Sequence, residues 1–267
     1  LVLTTDTMVL NTHFDDDISP YELGYISAAS NISDLSAMGA IPAFALINLT
    51  IEKPEQSSLN DIIKGYNKVF KDFPVAVIGG DTTYGPTSIT MTLIGYSSST
   101  NAMLTSNAKE NDTIFISGSI GESLLARKCN KYHMPESRNK LGLILTEYAN
   151  SCTDMSDGLL DSLKRITEKS NLGANIQINK IKISTELNHQ IKNEDITWQD
   201  LLSYGDDYEL FFTVEQKKSL ALKNLCKNTG IEIYEIGSLA KDKSINFQYN
   251  NKFLNIDINK KFEHFKK

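Results

Sequence analysis

Cysteine is scarce in this sequence: three residues in 267, at positions 129, 152 and 226. They lie far apart, and no Cys-x-x-Cys pair occurs. Neither a zinc site nor a disulfide framework is therefore suggested, and a reducing cytoplasm suits the chain best. No apolar run approaches the ~18 residues of a membrane span. The N-terminal residues lack the basic start of a secretory signal. Positive charge is also in deficit, with 27 Lys and Arg against 33 Asp and Glu and a net charge of −6. That balance argues against a nucleic-acid or anionic membrane surface. Phosphate ligands stay open, because bound cations can supply the missing positive charge.

Several catalytic signatures are absent too. There is no GxxxxGK[ST] phosphate loop and no GxGxxG after a strand. No GxSxG elbow, kinase HRD or DFG set, or HExxH zinc helix occurs. The placement of His and Cys suggests no nucleophilic triad.

What is present is ordinary globular material, 40% hydrophobic and 22% charged. Its length suits one large domain or two smaller ones. Strand and helix patterns alternate in two similar segments joined by a linker at 107–112, so the expected fold is α/β with two domains, 1–108 and 109–267. Residues 1–10 read as a strand with no lead-in and no preceding methionine, so the natural chain is expected to begin upstream of Leu1. Ser19, Pro20 and Glu22 announce a helix by capping box and N1 proline. That helix is rich in Ala and Ser and predicts a closely packed neighbour. The clearest helix is 55–73, with the apolar stripe Leu59, Ile62, Ile63, Tyr66, Val69, Phe70 and Phe73, ended by Pro74. A short strand at 75–78 runs into Gly79-Gly80-Asp81, which reads as a turn. Further strands are expected at 43–51, 89–96, 114–117, 174–178, 210–214 and 231–236, and helices after Gly121, at 141–149, after Gly158 and at 217–228. The tail, 239–267, is polar and basic.

A subset of the acidic residues sits at strand ends and turns beside small or hydroxyl residues: Asp6 after Thr4-Thr5, Asp34 after Ser33, Asp81 after Gly79-Gly80, Asp154 and Asp157 in Cys152–Asp161, and Asp206-Asp207 after Gly205. Small neighbours let a ligand approach the backbone. Carboxylate, hydroxyl and carbonyl oxygens are the ligands of Mg²⁺ and Ca²⁺. Gathered carboxylates repel unless cations join them. Each piece also has an ordinary structural reading. Ser156 or Asp157 can simply cap the following helix, Asp161 can lie on its exposed face, Asp15-Asp16-Asp17 can be a solvated loop, and His13 can be structural.

Taken in order, five stretches carry a resemblance: Thr4–Thr7, Asn31–Ala40, Gly79–Thr83, Met155–Leu159 and Asp207–Leu210, with Phe262-Glu263-His264-Phe265 at the end. The set resembles the bacterial thiamine-monophosphate kinases, which belong with the aminoimidazole-ribonucleotide-synthetase-like ATP enzymes. The resemblance implies ATP-dependent phosphorylation of thiamine monophosphate to thiamine diphosphate with Mg²⁺ and ATP. It implies a homodimer whose N-terminal domains build a barrel from a mixed sheet across the dimer, each followed by a C-terminal α/β domain. By matching positions, Thr4, Thr5, Asp6, Asp34, Asp81, Asp154 and Asp157 are the implied metal ligands. Gly80, Asp81, Thr105 and Ser156 are the implied nucleotide contacts, and His13, Asp206 and Phe262 those to thiamine monophosphate. The resemblance also implies that Asp6, Asp34, Asp81, Asp154 and Asp157 carry catalysis through metals. Departures are also present. The family's early Gly-Asp-Asp motif would precede Leu1, the segment from Glu122 to Met134 is short, two usual basic positions are Tyr84 and Thr105, and a usual glutamate is Asp206. Another enzyme of the same superfamily, or a non-catalytic metal- and nucleotide-binding dimer, is the alternative.

Overall fold

Ser19 and Glu22 satisfy each other at the start of the first long helix. The Glu22 backbone N–H donates to Ser19 Oγ at 3.2 Å, and the Ser19 N–H donates to the Glu22 carboxylate at 3.0 Å. The expected capping box is therefore present, with Pro20 at the first helical position. The computed structural model describes residues 1–97 and 103–260. The chain divides into two compact units, Leu1–Thr100 with Met134–Leu143, and Asn101–His133 with Ile144–Lys267.

The first unit contains β1 (Val2–Val9), α1 (Pro20–Ala37), β2 (Ile41–Ile51), α2 (Gln56–Phe70), β3 (Ala76–Tyr84) and β4 (Ser88–Tyr96). Its sheet has the order β1-β4-β2-β3, antiparallel except for the parallel β2–β3 pair. The Ala- and Ser-rich α1 is buried along most of its length, because α2 crosses it at backbone contact. A Cβ on Gly24 would lie 2.1 Å from the Ile62 carbonyl oxygen, and one on Gly65 2.1 Å from that of Tyr21. The predicted helix 55–73 ends at Phe70, one turn before Pro74.

Strand β3 departs from expectation. Gly79-Gly80-Asp81 is not a turn after a short strand. It lies inside β3, paired with Leu46-Ile47-Asn48 of β2. Gly80 has φ +139, and a Cβ there would sit 1.8 Å from the Ile47 carbonyl oxygen. Glycine is what lets the edge strand close on its neighbour, so the glycine pair marks close backbone approach.

Beyond α3 (Glu122–Lys128), α4 (Asn139–Tyr148) carries the chain from the first unit to the second. The second unit is built on β5 (Thr113–Ser117), β6 (Ala149–Asp154), α5 (Leu159–Ser170), β7 (Gly173–Gln177), α6 (Thr185–Lys192), α7 (Trp198–Ser203), β8 (Leu210–Val214), α8 (Gln216–Asn228), β9 (Ile233–Ala240), β10 (Ile245–Tyr249) and β11 (Lys252–Leu254). The sheet order is β11-β10-β7-β9-β5-β8-β6, with only β10–β7 parallel. β5 and β8 are buried at every residue. Phe115 and Phe212 stack at 5.5 Å on one face, and Ile114, Ile116 and Phe211 join the core under α5. The tail expected to be a polar run instead supplies the end of β9 and all of β10 and β11. Its Phe247 is buried, while the alternate positions stay polar.

Among the described residues, no helix is long and apolar enough to cross a membrane. The observed class is mixed α/β, as expected.

Candidate active site

In the first unit the alternation of the strands sorts the candidate residues onto two faces. On β1, the even positions Thr4, Asp6 and Met8 turn toward α1, and Leu3, Thr5 and Thr7 turn away. The Thr4 hydroxyl donates to the Asp34 carboxylate at 2.5 Å, so β1 and α1 bring these two ligand candidates together, with Asp6 on the same face. Thr5 lies on the other face, hydrogen-bonded to Thr92 at 2.9 Å. Pairing across the sheet places Thr7, Thr90, Asn48 and Asp81 in one row on that same open face. Asp81 is exposed, and its carboxylate accepts the Thr82 N–H at 2.8 Å. Thr4, Asp6 and Asp34 therefore form one group, while Thr5 and Asp81 lie on the opposite face. Gly80 pairs with Ile47 one position before. His13 is exposed, and its Nδ1 accepts the Val9 N–H at 3.0 Å.

In the second unit, Asp154 ends β6, buried at 4% exposure, and Ser156 and Asp157 form the turn before α5. Neither caps that helix. Its N-cap is Gly158, at φ 92, with no side-chain cap bond. The turn is instead held by its neighbour in space. The Asp206 N–H donates to the Ser156 carbonyl at 2.8 Å, that of Tyr208 to Met155 at 3.3 Å, and that of Met155 to Glu209 at 2.8 Å. A Cβ on Gly205 would lie 2.0 Å from the Ser156 carbonyl oxygen. The Asp206–Leu210 motif thus rests directly on the turn with the nucleotide and metal candidates. Thr105 lies elsewhere in this unit, its carbonyl accepting the Ser170 hydroxyl at 3.2 Å. Phe262 lies outside the described residues.

The motif loop is itself pinned. Asp206 and Tyr208 both have positive φ, 65 and 52, a backbone state that non-glycine residues enter only when surroundings compel it. Between them the buried Asp207 carboxylate accepts the backbone N–H groups of Gly121 at 2.7 Å and Ser123 at 3.1 Å, and the Ser123 hydroxyl at 2.9 Å. Burial raises this carboxyl to about 7 against those donors, and the nearby Glu209 adds to the rise. Ser117 Oγ donates to the Glu209 carboxylate and accepts the Leu210 N–H at 2.8 Å. The crowded loop around Asp206 pushes its carboxyl up, as does the negative Asp157, while a Tyr208 hydrogen bond and the positive Arg127 oppose the rise; because the residue itself is exposed, solvent limits that rise.

Sequence reasoning missed two arginines. Arg165 lies 2.9 Å from Asp161 and 3.8 Å from Asp157. Asp161 is thus an ion-pair partner, its side chain 13% exposed rather than on an exposed face. The i,i+4 spacing of Asp161 and Arg165 was the available signal. Arg127 stacks over Tyr132, 5.2 Å from its ring centre, and nothing in the local pattern marks it.

The donors are hard oxygens, which suit Mg²⁺. Among the described residues, no three His, Cys, Asp or Glu side chains gather into a ready metal cage.

Comparison with known proteins settles the family. The AIR synthase related protein N-terminal domain matches residues 1–97, and the corresponding C-terminal domain residues 94–250. The thiamine-monophosphate kinase of Buchnera aphidicola from Schizaphis graminum is 37% identical, over 94% of this chain and 83% of its own length. The crystal structure of thiamine-monophosphate kinase from Stenotrophomonas maltophilia superposes with a TM-score of 0.86 at 28% identity, covering 94% of this chain and 85% of that one. AaThiL, solved with AMPPCP and TMP, shares the fold at a TM-score of 0.83 and 24% identity, over 98% of this chain and 86% of its own. The chain belongs to the AIR synthase related proteins and, within them, to the thiamine-monophosphate kinase family.

Proposed function

We propose that this chain transfers the γ-phosphoryl group of ATP to thiamine monophosphate, forming thiamine diphosphate and ADP. One observation within the second unit carries the reading: the Asp206–Leu210 loop, matched to substrate binding, is hydrogen-bonded onto the Met155–Gly158 turn, matched to metal and nucleotide. Acceptor and donor sites built on one another suit transfer between two phosphates.

The chemistry needs little from side chains. A phosphate monoester is largely dianionic at neutral pH, so its oxygen attacks the γ-phosphorus without a general base. The bond to the β–γ bridging oxygen breaks, and ADP leaves with that electron pair. The difficulty is electrostatic, since two anions must meet in line. Bound Mg²⁺ neutralises the phosphates and stabilises the charge on the transferring group. Separate groups would hold the cations: Thr4, Asp6 and Asp34 on the helix-facing side of the first sheet, Thr5 and Asp81 on its open side, and Asp154 and Asp157 in the second unit. Gly80, Thr105 and Ser156 contact the nucleotide, and His13, Asp206 and Phe262 the thiamine monophosphate.

The protein works as a cytoplasmic homodimer. Supporting the dimer, the open face of the first sheet carries an apolar row of Leu3, Ile94, Phe44 and Ala76. Leu3 is 55% exposed, and Tyr96, edge-on to Phe44, is 51% exposed. Two such faces closing on each other would complete a barrel across the dimer. Supporting the reducing compartment, all three cysteines are free, two of them buried.

Steady-state turnover with Mg²⁺, ATP and thiamine monophosphate tests the reading. Thiamine diphosphate should accumulate and should vanish when any one of the three is withheld. Hydrolysis of ATP without thiamine diphosphate would refute it.

A further inference from the structure

Helix α3 is fastened to the Asp206 loop at its start. The Asp207 carboxylate accepts the Gly121 and Ser123 N–H groups, and the Ser123 hydroxyl donates to the Gly205 carbonyl at 2.6 Å. The face of α3 that carries Ser123 therefore packs on residues 205–207. Arg127 lies one turn further along that same face, and a long helical side chain runs back toward the helix N-terminus. The guanidinium is thus carried toward the loop, and its charge acts there. Burial and then the negative Asp206 push the Tyr204 hydroxyl up, and Arg127 opposes that rise as it does the one at Asp206. The far end of α3 holds the guanidinium in place. The Asn130 N–H donates to the Arg127 carbonyl at 3.0 Å and the Lys131 N–H to that of Ala126 at 2.9 Å, with Asn130 at φ 52. This left-handed cap turns the chain back. It lays the Tyr132 ring against Arg127, whose guanidinium carbon is 5.2 Å from the ring centre, within range of attraction between a cation and an aromatic face. Asp206 feels two charges of opposite sign: Asp157 repels it and Arg127 attracts it. It is exposed and its backbone is held at φ 65, so the direction of the carboxylate is left to those neighbours.

We propose that Arg127, braced by Tyr132, is a positioning residue for the substrate: it draws the Asp206 carboxylate toward α3, away from Asp157, and so presents it to thiamine monophosphate. The inference rests on the reading of Asp206 as a contact to thiamine monophosphate. Arg127 acts through that carboxylate, so its effect must disappear when the carboxylate is removed.

The test is a double-mutant cycle of Arg127→Met and Asp206→Ala in the full-length protein, read by steady-state kinetics in both substrates. Arg127→Met should raise KM for thiamine monophosphate about tenfold, the scale of one charge-assisted contact. Both kcat and KM for ATP should stay within about twofold of the parent. Arg127→Lys keeps the charge and should recover most of the loss, while Tyr132→Leu removes the brace and should raise the same KM severalfold. On the Asp206→Ala background Arg127→Met should raise KM no further. An unchanged KM in Arg127→Met or Tyr132→Leu, equal losses in the Lys and Met variants, or a rise that adds fully to that of Asp206→Ala would overturn the proposal. If Asp206→Ala alone left KM for thiamine monophosphate unaltered, the substrate contact would fall and the proposal with it. A raised KM in Asp206→Ala beside an unchanged one in Arg127→Met would remove only the role of Arg127, and so tell the two failures apart.

Discussion

The Arg165 guanidinium lies 3.8 Å from the Asp157 carboxylate while it holds Asp161 at 2.9 Å. A cation at Asp157 must therefore enter against a fixed positive charge. Arg165→Met should tighten the binding of Mn²⁺ alone severalfold, read by electron paramagnetic resonance of the free ion, because that competitor is gone. The pair is partly solvent-exposed, so stability should fall by at most ~1 kcal/mol. Weaker Mn²⁺ binding in the variant would show that Arg165 instead orients Asp157 for the metal. Asp157→Asn should lower turnover about 100-fold and raise the Mg²⁺ concentration needed for half-maximal rate.

Gly80 and Gly79 make a matched pair. Ala at Gly80 would drive a Cβ into the Ile47 carbonyl in a backbone state that L-residues avoid, and should destabilise by about 3 kcal/mol or more. Ala at Gly79 meets only the end of the Leu46 side chain, at 3.2 Å, which can yield. It should stay within ~1 kcal/mol of the parent. Urea denaturation reads both, and equal effects would contradict the strand geometry.

Asp207 gives a pH dependence with a definite sign. Its folded carboxyl, at about 7, lies above the ordinary value of 3.8, so the native state keeps a proton that the unfolded chain releases. The contribution to stability is complete below about pH 4 and is lost as pH rises toward 7. The parent should therefore lose stability between pH 4 and 7 relative to Asp207→Asn, which has no proton to lose. Parallel stability curves for the two proteins would refute the raised carboxyl.

The dimer reading makes a surface prediction. Leu3→Lys places a charge in the apolar row of the open sheet face without entering the core, since Leu3 is 55% exposed. Sedimentation should show the parent as a dimer and the variant shifted toward monomer, with far-ultraviolet circular dichroism unchanged. A parent that sediments as a monomer contradicts the reading.

Much of this was legible in the chain, for reasons particular residues show. Ser19 and Glu22 announced α1, the stripe from Leu59 to Phe70 announced α2, and the order of the acidic motifs pointed to the family. Gly79-Gly80-Asp81 misled because glycines carry no side chains to display a period of two, so an edge strand read as a turn. The split of Thr4 and Asp6 from Thr5 was present in that same period, although a list of candidate ligands hides it. Two helices between 185 and 203 were missed because one or two turns show too little periodicity. The hydrogen bonds between the start of α3 and the Asp206 loop join residues 82 to 86 positions apart, and no local pattern records them.

Transfer of isotopically labelled phosphoryl tests the central claim most directly. With ATP labelled in the γ-phosphate, thiamine monophosphate and Mg²⁺, the account predicts the label in the terminal phosphate of thiamine diphosphate, with one ADP formed for each. Label recovered as inorganic phosphate, with thiamine monophosphate unchanged, would contradict it.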